Sequence, residues 1–127
     1  MADNEKNEQN EQNEQSAAAH GPVGVVTDEN FIQEVIESGE PVVVDFYADW
    51  CGPCHMMAPT LDDFAKQHAG TALVLKLDTE AEPTIAARYG IRGIPTLIDF
   101  DQGKEKARHV GVADLKTLEK LVGVSAG

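Results

Sequence analysis

From Pro41 to Tyr47 the chain reads Pro-Val-Val-Val-Asp-Phe-Tyr, apolar at nearly every position. A strand with one wet face alternates apolar and polar side chains, whereas an unbroken apolar run suits a strand buried on both faces. Such a strand needs helices on both sides of its sheet. The flanking patterns supply them. Val23 to Val26 reads as a short strand. Asn30 with Gln33 fits a capping box, and Phe31, Ile32, Val35 and Ile36 follow at helical spacing. A second helix is predicted from about Gly52 to His68, with Met56, Met57, Leu61 and Phe64 as its apolar positions and a kink at Pro59. Ala72 to Leu77 is another strand. Pro83 stands near the start of a third helix that ends at Gly90. Thr96 to Phe100 and Lys104 to Val110 flank Asp101-Gln102-Gly103 and read as a hairpin. Asp114 is an N-cap for a last helix through Leu115, Leu118, Leu121 and Val122. The order β-α-β-α-β-α-β-β-α predicts an α/β domain, a mixed sheet with helices on both faces.

The first fifteen residues cannot join that core. Asn7 to Gln15 is Asn-Glu-Gln three times over, with no apolar side chain to offset its ordering entropy. Residues 1–20 are therefore expected to be a disordered acidic tail, solvating or docking in role, and residues 21–127 the domain. The opening segment fits neither a secretory signal nor a mitochondrial transit peptide. Residues 1–15 hold five acids and one base, −4 of the net −12, so the rest of the chain carries −8. An acidic domain repels nucleic acid and anionic lipid, and neither is expected as a partner. No run of about 18 apolar residues is present to span a membrane.

The chain has two cysteines, and only Gly52 and Pro53 separate them. A secreted disulfide framework uses more cysteines at wider spacing, so the pair reads as chemistry. Cys51 and Cys54 follow the apolar strand and open a helix, where unpaired N–H groups and the macrodipole favour an anion. The thiolate of Cys51 is therefore favoured. A thiol of pKa ~8.5 is about 3 % ionised at pH 7, and one near 7 about half ionised. Intrinsic nucleophilicity falls with pKa at a slope near 0.45, so attack gains only about threefold. The helix start serves Cys51 as a leaving group as much as an attacker.

With Trp50-Cys51-Gly52-Pro53-Cys54, the run from Tyr89 to Thr96, Val44-Asp45-Phe46 and Val110-Gly111, nearly all of residues 21–123 resembles the thioredoxin family. Trp50-Cys51-Gly52-Pro53-Cys54 matches its active-site motif unchanged. Tyr89-Gly90-Ile91-Arg92-Gly93-Ile94-Pro95-Thr96 matches a second signature, whose proline is cis and faces the disulfide. Val44-Asp45-Phe46 matches the strand with the family's buried carboxylate, and Val110-Gly111 a third piece of its groove. The resemblance implies the thioredoxin fold, a central mixed five-stranded sheet flanked by four helices. It implies a protein disulfide reductase in which Cys51 attacks a target disulfide, Cys54 resolves the mixed disulfide and Asp45 takes the Cys54 proton. Lys76 matches a lysine near that carboxylate. Trp50, Gly52, Pro53, Ile94, Pro95, Gly111 and Val112 would receive partners, and Glu80 matches an acid that can bond the Trp50 indole. No cofactor is implied; electrons would come from NADPH through a separate thioredoxin reductase. Targets such as peroxiredoxins, methionine sulfoxide reductase and ribonucleotide reductase are implied, for a cytoplasmic monomer.

Other readings of the same residues are available. Cys51-Gly52-Pro53-Cys54-His55 is also the C-x-x-C-H pattern of c-type haem attachment, with Met56 or Met57 as conceivable axial ligands; a Soret band would reveal it. A pure binding module would show no turnover. Zinc would need a second ligand pair that the chain lacks. His20, His68 and His109 are expected at the surface. Three positions depart from the family pattern: His55 stands where Lys or Arg is usual, Tyr47 where Trp is frequent, and Asp99 where the fourth strand is normally apolar.

Overall fold

The computed structural model describes residues 22–125; the expected tail over residues 1–20, with His20, lies outside the described residues. Five strands, β1 (Val23–Val25), β2 (Val42–Tyr47), β3 (Leu73–Asp78), β4 (Thr96–Asp101) and β5 (Lys104–Val110), form one sheet in the order β1-β3-β2-β4-β5. β1, β3 and β2 run parallel; β4 runs antiparallel to β2, and β5 antiparallel to β4. Four helices flank it: α1 (Ile32–Ile36), α2 (Gly52–Gln67), α3 (Pro83–Arg88) and α4 (Leu115–Val122). β2 lies at the centre of the sheet, and Val42 through Phe46 are buried, as the apolar run requires.

Alternation along the strands divides the core in two. Val42, Val44 and Phe46 meet Phe31, Val35, Ile85 and Ala86 of the α1/α3 layer. There Phe31, Tyr89 and Phe100 pack tilted or edge-on with ring centres 5.1–5.7 Å apart, a favourable aromatic geometry. Val43 and Leu97 face the other way, onto Met57, Leu61, Phe64, Leu118 and Val122 of α2 and α4. β5 is the outer edge, and its exposed Lys104, Glu105, Lys106 and Arg108 discourage pairing with another sheet. The hairpin turn is Gln102-Gly103, both at positive φ (57° and 78°), so it is of the I′ type whose twist matches the strands. Asp114 caps α4, accepting the Thr117 N–H at 2.9 Å. The second helix continues through Pro59 as one element.

Several local expectations are corrected. α1 is wound as a π-helix, with the Glu37 N–H bonded to the Ile32 carbonyl. Its capping box is not Asn30 with Gln33. Instead Thr27 and Asn30 bond each other across the turn that precedes the helix: the Thr27 hydroxyl accepts the Asn30 N–H at 3.2 Å, and Asn30 Oδ1 accepts the Thr27 N–H at 2.8 Å. Met56 is not a core position; it is 69 % exposed, while Met57 beside it is fully buried. His68 is not at the surface either. It is buried at the end of α2, and Nε2 lies 3.2 Å from Glu119 Oε2 on α4.

Asp99 has a place in this packing. It is fully buried on the α2/α4 face of β4. A bulge in β5 opposite Asp99 and Phe100 accompanies Lys106, whose Nζ donates to the Val122 carbonyl at 3.3 Å and lies 3.7 Å from Asp99 Oδ2. That separation makes an ion pair and not a hydrogen bond. Burial pushes the Asp99 carboxyl up to about 6, against the opposing pull of Lys106.

Candidate active site

β2 carries Asp45 into the interior, and the chain turns at Ala48–Cys51, where the Cys51 N–H bonds the Ala48 carbonyl, to start α2. Cys51 is the N-cap of α2. Its backbone is extended (φ −89°, ψ 109°), and its sulfur accepts the Cys54 N–H at 3.2 Å. Serine or aspartate oxygen usually fills this role. A thiolate accepts such a bond better than a thiol, so the cap favours the ionised form of Cys51. Pro53 in the first turn has no N–H to leave unpaired. Cys54, one turn in, is bridged to Cys51 with Cα atoms 5.3 Å apart. Both cysteines are nearly covered, at 4 % and 5 % exposure, so a partner reaches them only along a narrow approach.

That approach is framed by three segments. Trp50 is 70 % exposed and is no core residue; its indole N–H donates to Glu80 Oε2 at 3.2 Å, which fixes the ring beside Cys51. Ile94 and Pro95 are joined by a cis peptide bond, and the Ile94 carbonyl oxygen lies 3.9 Å from Cys51 Sγ. The Gly111 N–H bonds the Pro95 carbonyl at 2.8 Å, at φ +107°, which favours glycine. Val112 beyond it is 46 % exposed. Gly52 and Pro53 between the cysteines are exposed, Ile94 reaches Cys51 through its carbonyl, and Gly111 is tied to Pro95. Val110 (59 % exposed) and Met56 are further exposed apolar side chains.

Asp45 is 3 % exposed and paired in register with Lys76 on β3 and Leu97 on β4. It is thus a central-strand residue and not one at an edge or bulge. Its Oδ1 has no hydrogen-bond partner. Burial pushes the carboxyl up to about 7, and Lys76 pulls it partly back. Lys76 is half-buried, with Nζ 5.4 Å from the centre of the Tyr47 ring. A cavity of about 220 Å³ brings these groups together, lined by Asp45, Tyr47, Asp49, Cys54, His55, Asp62 and Lys76 among others. Asp49 and Asp62 were not singled out in the sequence. The available signal was helical spacing, since His55 and Asp62 lie seven residues apart on α2 and so share a face. His55 Nε2 lies 2.7 Å from the Asp49 carbonyl oxygen. Among the described residues no group of three or more His, Cys, Asp or Glu side chains is arranged to hold a metal ion, and no helix is long and apolar enough to cross a membrane.

Comparison with known proteins agrees with this geometry. The thioredoxin family profile matches residues 22–123. Thioredoxin 1 of Nostoc is 47 % identical over 97 residues, covering 76 % of this chain and 91 % of that protein. A thioredoxin of Porphyra purpurea is 47 % identical over 100 residues, 79 % of this chain and 94 % of its own. A chloroplastic M-type thioredoxin of Pisum sativum is 45 % identical over 100 residues, 79 % of this chain and 58 % of its own. A cysteine pair that caps a helix, faces a cis-proline and backs onto a buried carboxyl performs dithiol–disulfide exchange, and this chain belongs to the thioredoxin family of disulfide oxidoreductases.

Proposed function

We propose that the protein is a protein disulfide reductase in which Cys51 is the nucleophile and Cys54 the resolving thiol. The observation that carries this assignment is the cap: Cys51 Sγ accepts a backbone N–H at the start of α2, and Cys54 Sγ does not occupy that position. The Cys51 thiolate attacks one sulfur of a target disulfide. A Cys51–target bond forms, the target's own S–S bond breaks, and its other sulfur leaves as a thiolate. Asp45, as carboxylate, then takes the Cys54 proton, and the Cys54 thiolate attacks Cys51. The internal disulfide forms and the second target sulfur leaves. Two electrons have passed to the target. A carboxyl held near neutral titration suits that exchange, because proton transfer in either direction costs little near pH 7. Lys76 steadies the Asp45 carboxylate, and Trp50, Gly52, Pro53, Ile94, Pro95, Gly111 and Val112 seat the target backbone.

Family membership implies disulfide-containing proteins as targets and a reductase as electron source. Our reading makes that source a separate thioredoxin reductase fed by NADPH. The targets belong to the peroxiredoxin, methionine sulfoxide reductase and ribonucleotide reductase classes. The working unit is residues 21–127, a monomer, with residues 1–20 as an appended acidic tail. A cytoplasmic setting fits a chain with two cysteines and no wider disulfide framework. The test is insulin reduction with NADPH and a thioredoxin reductase. Wild type should turn over and Cys51→Ser should not. Cys54→Ser should trap targets as mixed disulfides, because attack survives and resolution does not. Equal trapping by both variants would overturn the assignment of the two sulfurs.

A further inference from the structure

The mechanism leaves a proton on a buried side chain. Asp45 takes it from Cys54 while 3 % exposed, beneath a pair that is itself covered. Each turnover must bring that proton out, and it must enter again when the pair is re-reduced. The cavity behind Cys54 reaches both Asp45 and an exposed titratable side chain of α2 next to the pair. Its volume of about 220 Å³ holds several water molecules, and its wall is polar enough to bind them.

His55 stands in that wall and is exposed. Its ring is not free to turn. A carbonyl oxygen only accepts, so Nε2 must donate to Asp49 O at 2.7 Å. Nε2 is therefore the protonated nitrogen of the neutral ring, and Nδ1 is left to accept. Imidazole is the side chain whose ordinary charge change falls within the cell's pH range, whereas a lysine or arginine would stay charged. The charged and titratable groups facing the same space are Asp45 and Tyr47 from β2, Asp49 from the turn, Asp62 from α2 and Lys76 from β3. Three of these are carboxylates, which favour a transient cation there. Lys76 opposes it.

We propose that His55 is the proton exit for this cavity: it takes up at Nδ1, through cavity water, the proton that Asp45 received from Cys54, and passes it to solvent. The atoms balance, since one proton leaves Cys54, resides on Asp45, crosses to His55 and is lost to bulk, while the electron pair of the Cys54 thiolate forms the new S–S bond. His55 touches neither sulfur and acts through Asp45, so it is a positioning and relay residue. The proposal rests on Asp45 being the proton acceptor.

The experiment follows reduced, full-length protein mixed with excess 5,5′-dithiobis(2-nitrobenzoate) in a stopped-flow instrument. The first release of thionitrobenzoate reports attack by Cys51. The second, independent of reagent concentration, reports resolution by Cys54. His55→Ala should leave the first phase within twofold of wild type and slow the second about tenfold at pH 7. Added imidazole should restore the second phase in proportion to its concentration. His55→Gln keeps a donor for the Asp49 carbonyl but cannot carry a proton, and should be as slow as His55→Ala. A wild-type second phase in His55→Gln would show that the ring only props the Asp49 turn, and would overturn the relay. A slow Asp45→Asn beside a wild-type His55→Ala would overturn the relay and leave Asp45 as acceptor. A wild-type Asp45→Asn would overturn both.

Discussion

Replacing Asp45 with asparagine should make the fold more stable, and by an amount that depends on pH in a defined way. Burial raises the carboxyl from its ordinary 3.8 to about 7, with the opposing pull of Lys76 already included. The folded state therefore favours the neutral acid. Below pH 3.8 the carboxyl is protonated folded and unfolded alike, and it carries no penalty. Between 3.8 and 7 the unfolded chain ionises while the folded one does not, so stability falls as pH rises. The shift is about three units, and each unit is ~1.4 kcal/mol, so wild type loses about 4 kcal/mol across that window and no more above it. The amide that replaces the carboxyl does not titrate. Urea unfolding of the oxidised proteins, in which the bridged cysteines do not titrate, should give stability curves for Asp45→Asn and wild type that diverge from about pH 4 to 7 and run parallel above. With a urea slope near ~2 kcal/mol/M, the midpoint separation should grow by about 2 M. Asp99 also titrates in this range, but it does so in both proteins and largely cancels. A midpoint difference constant from about pH 4 to 8 would refute the argument: Asp45 would then be hydrated in the folded state.

Three further outcomes are expected. Asp99→Leu should raise stability at pH 7.5 by about 1–3 kcal/mol, because replacing a buried ion pair with apolar packing is often favourable and the half-exposed Lys106 can turn to water; the gain should vanish near pH 4, and urea melts at the two pH values check it. Gly111→Ala should cost about 1–3 kcal/mol, because its φ of +107° is strained for any side chain, and should slow insulin reduction by perturbing the bond to Pro95; unchanged melting and turnover would contradict it. His68 and Glu119 should be energetically coupled by ~0.5 kcal/mol or more in a double-mutant cycle of His68→Gln and Glu119→Gln, since each is buried against the other; additive losses would show an idle contact.

The elements and the redox pair were legible in the chain because they depend on neighbours in sequence. The Val42–Phe46 run demanded a doubly covered strand, and β2 is one. Cys51-Gly52-Pro53-Cys54 announced a helix start, and Cys51 caps α2 with its own sulfur. Asp114 announced another, and it binds the Thr117 N–H. Where sequence reasoning failed locally, two choices a few residues apart were nearly equal in pattern: Asn30 pairs back with Thr27 and not forward with Gln33, and Met57 and not Met56 turns inward. Tertiary structure alone decided the contacts whose partners lie far apart in the chain. His68 is buried because Glu119 reaches it from α4, 51 residues on. Asp99 is admitted to the core because a bulge in β5 accompanies Lys106 over it. The cavity that joins Asp45, His55 and Lys76 exists only where β2, α2 and β3 converge. Periodicity reports which face of an element is apolar, but the charge and water that a buried polar group meets are set by side chains from other elements. The raised Asp45 carboxyl and the path for its proton are therefore properties of the packed domain, and the sulfur chemistry at the start of α2 is already local to the Cys51–Cys54 segment.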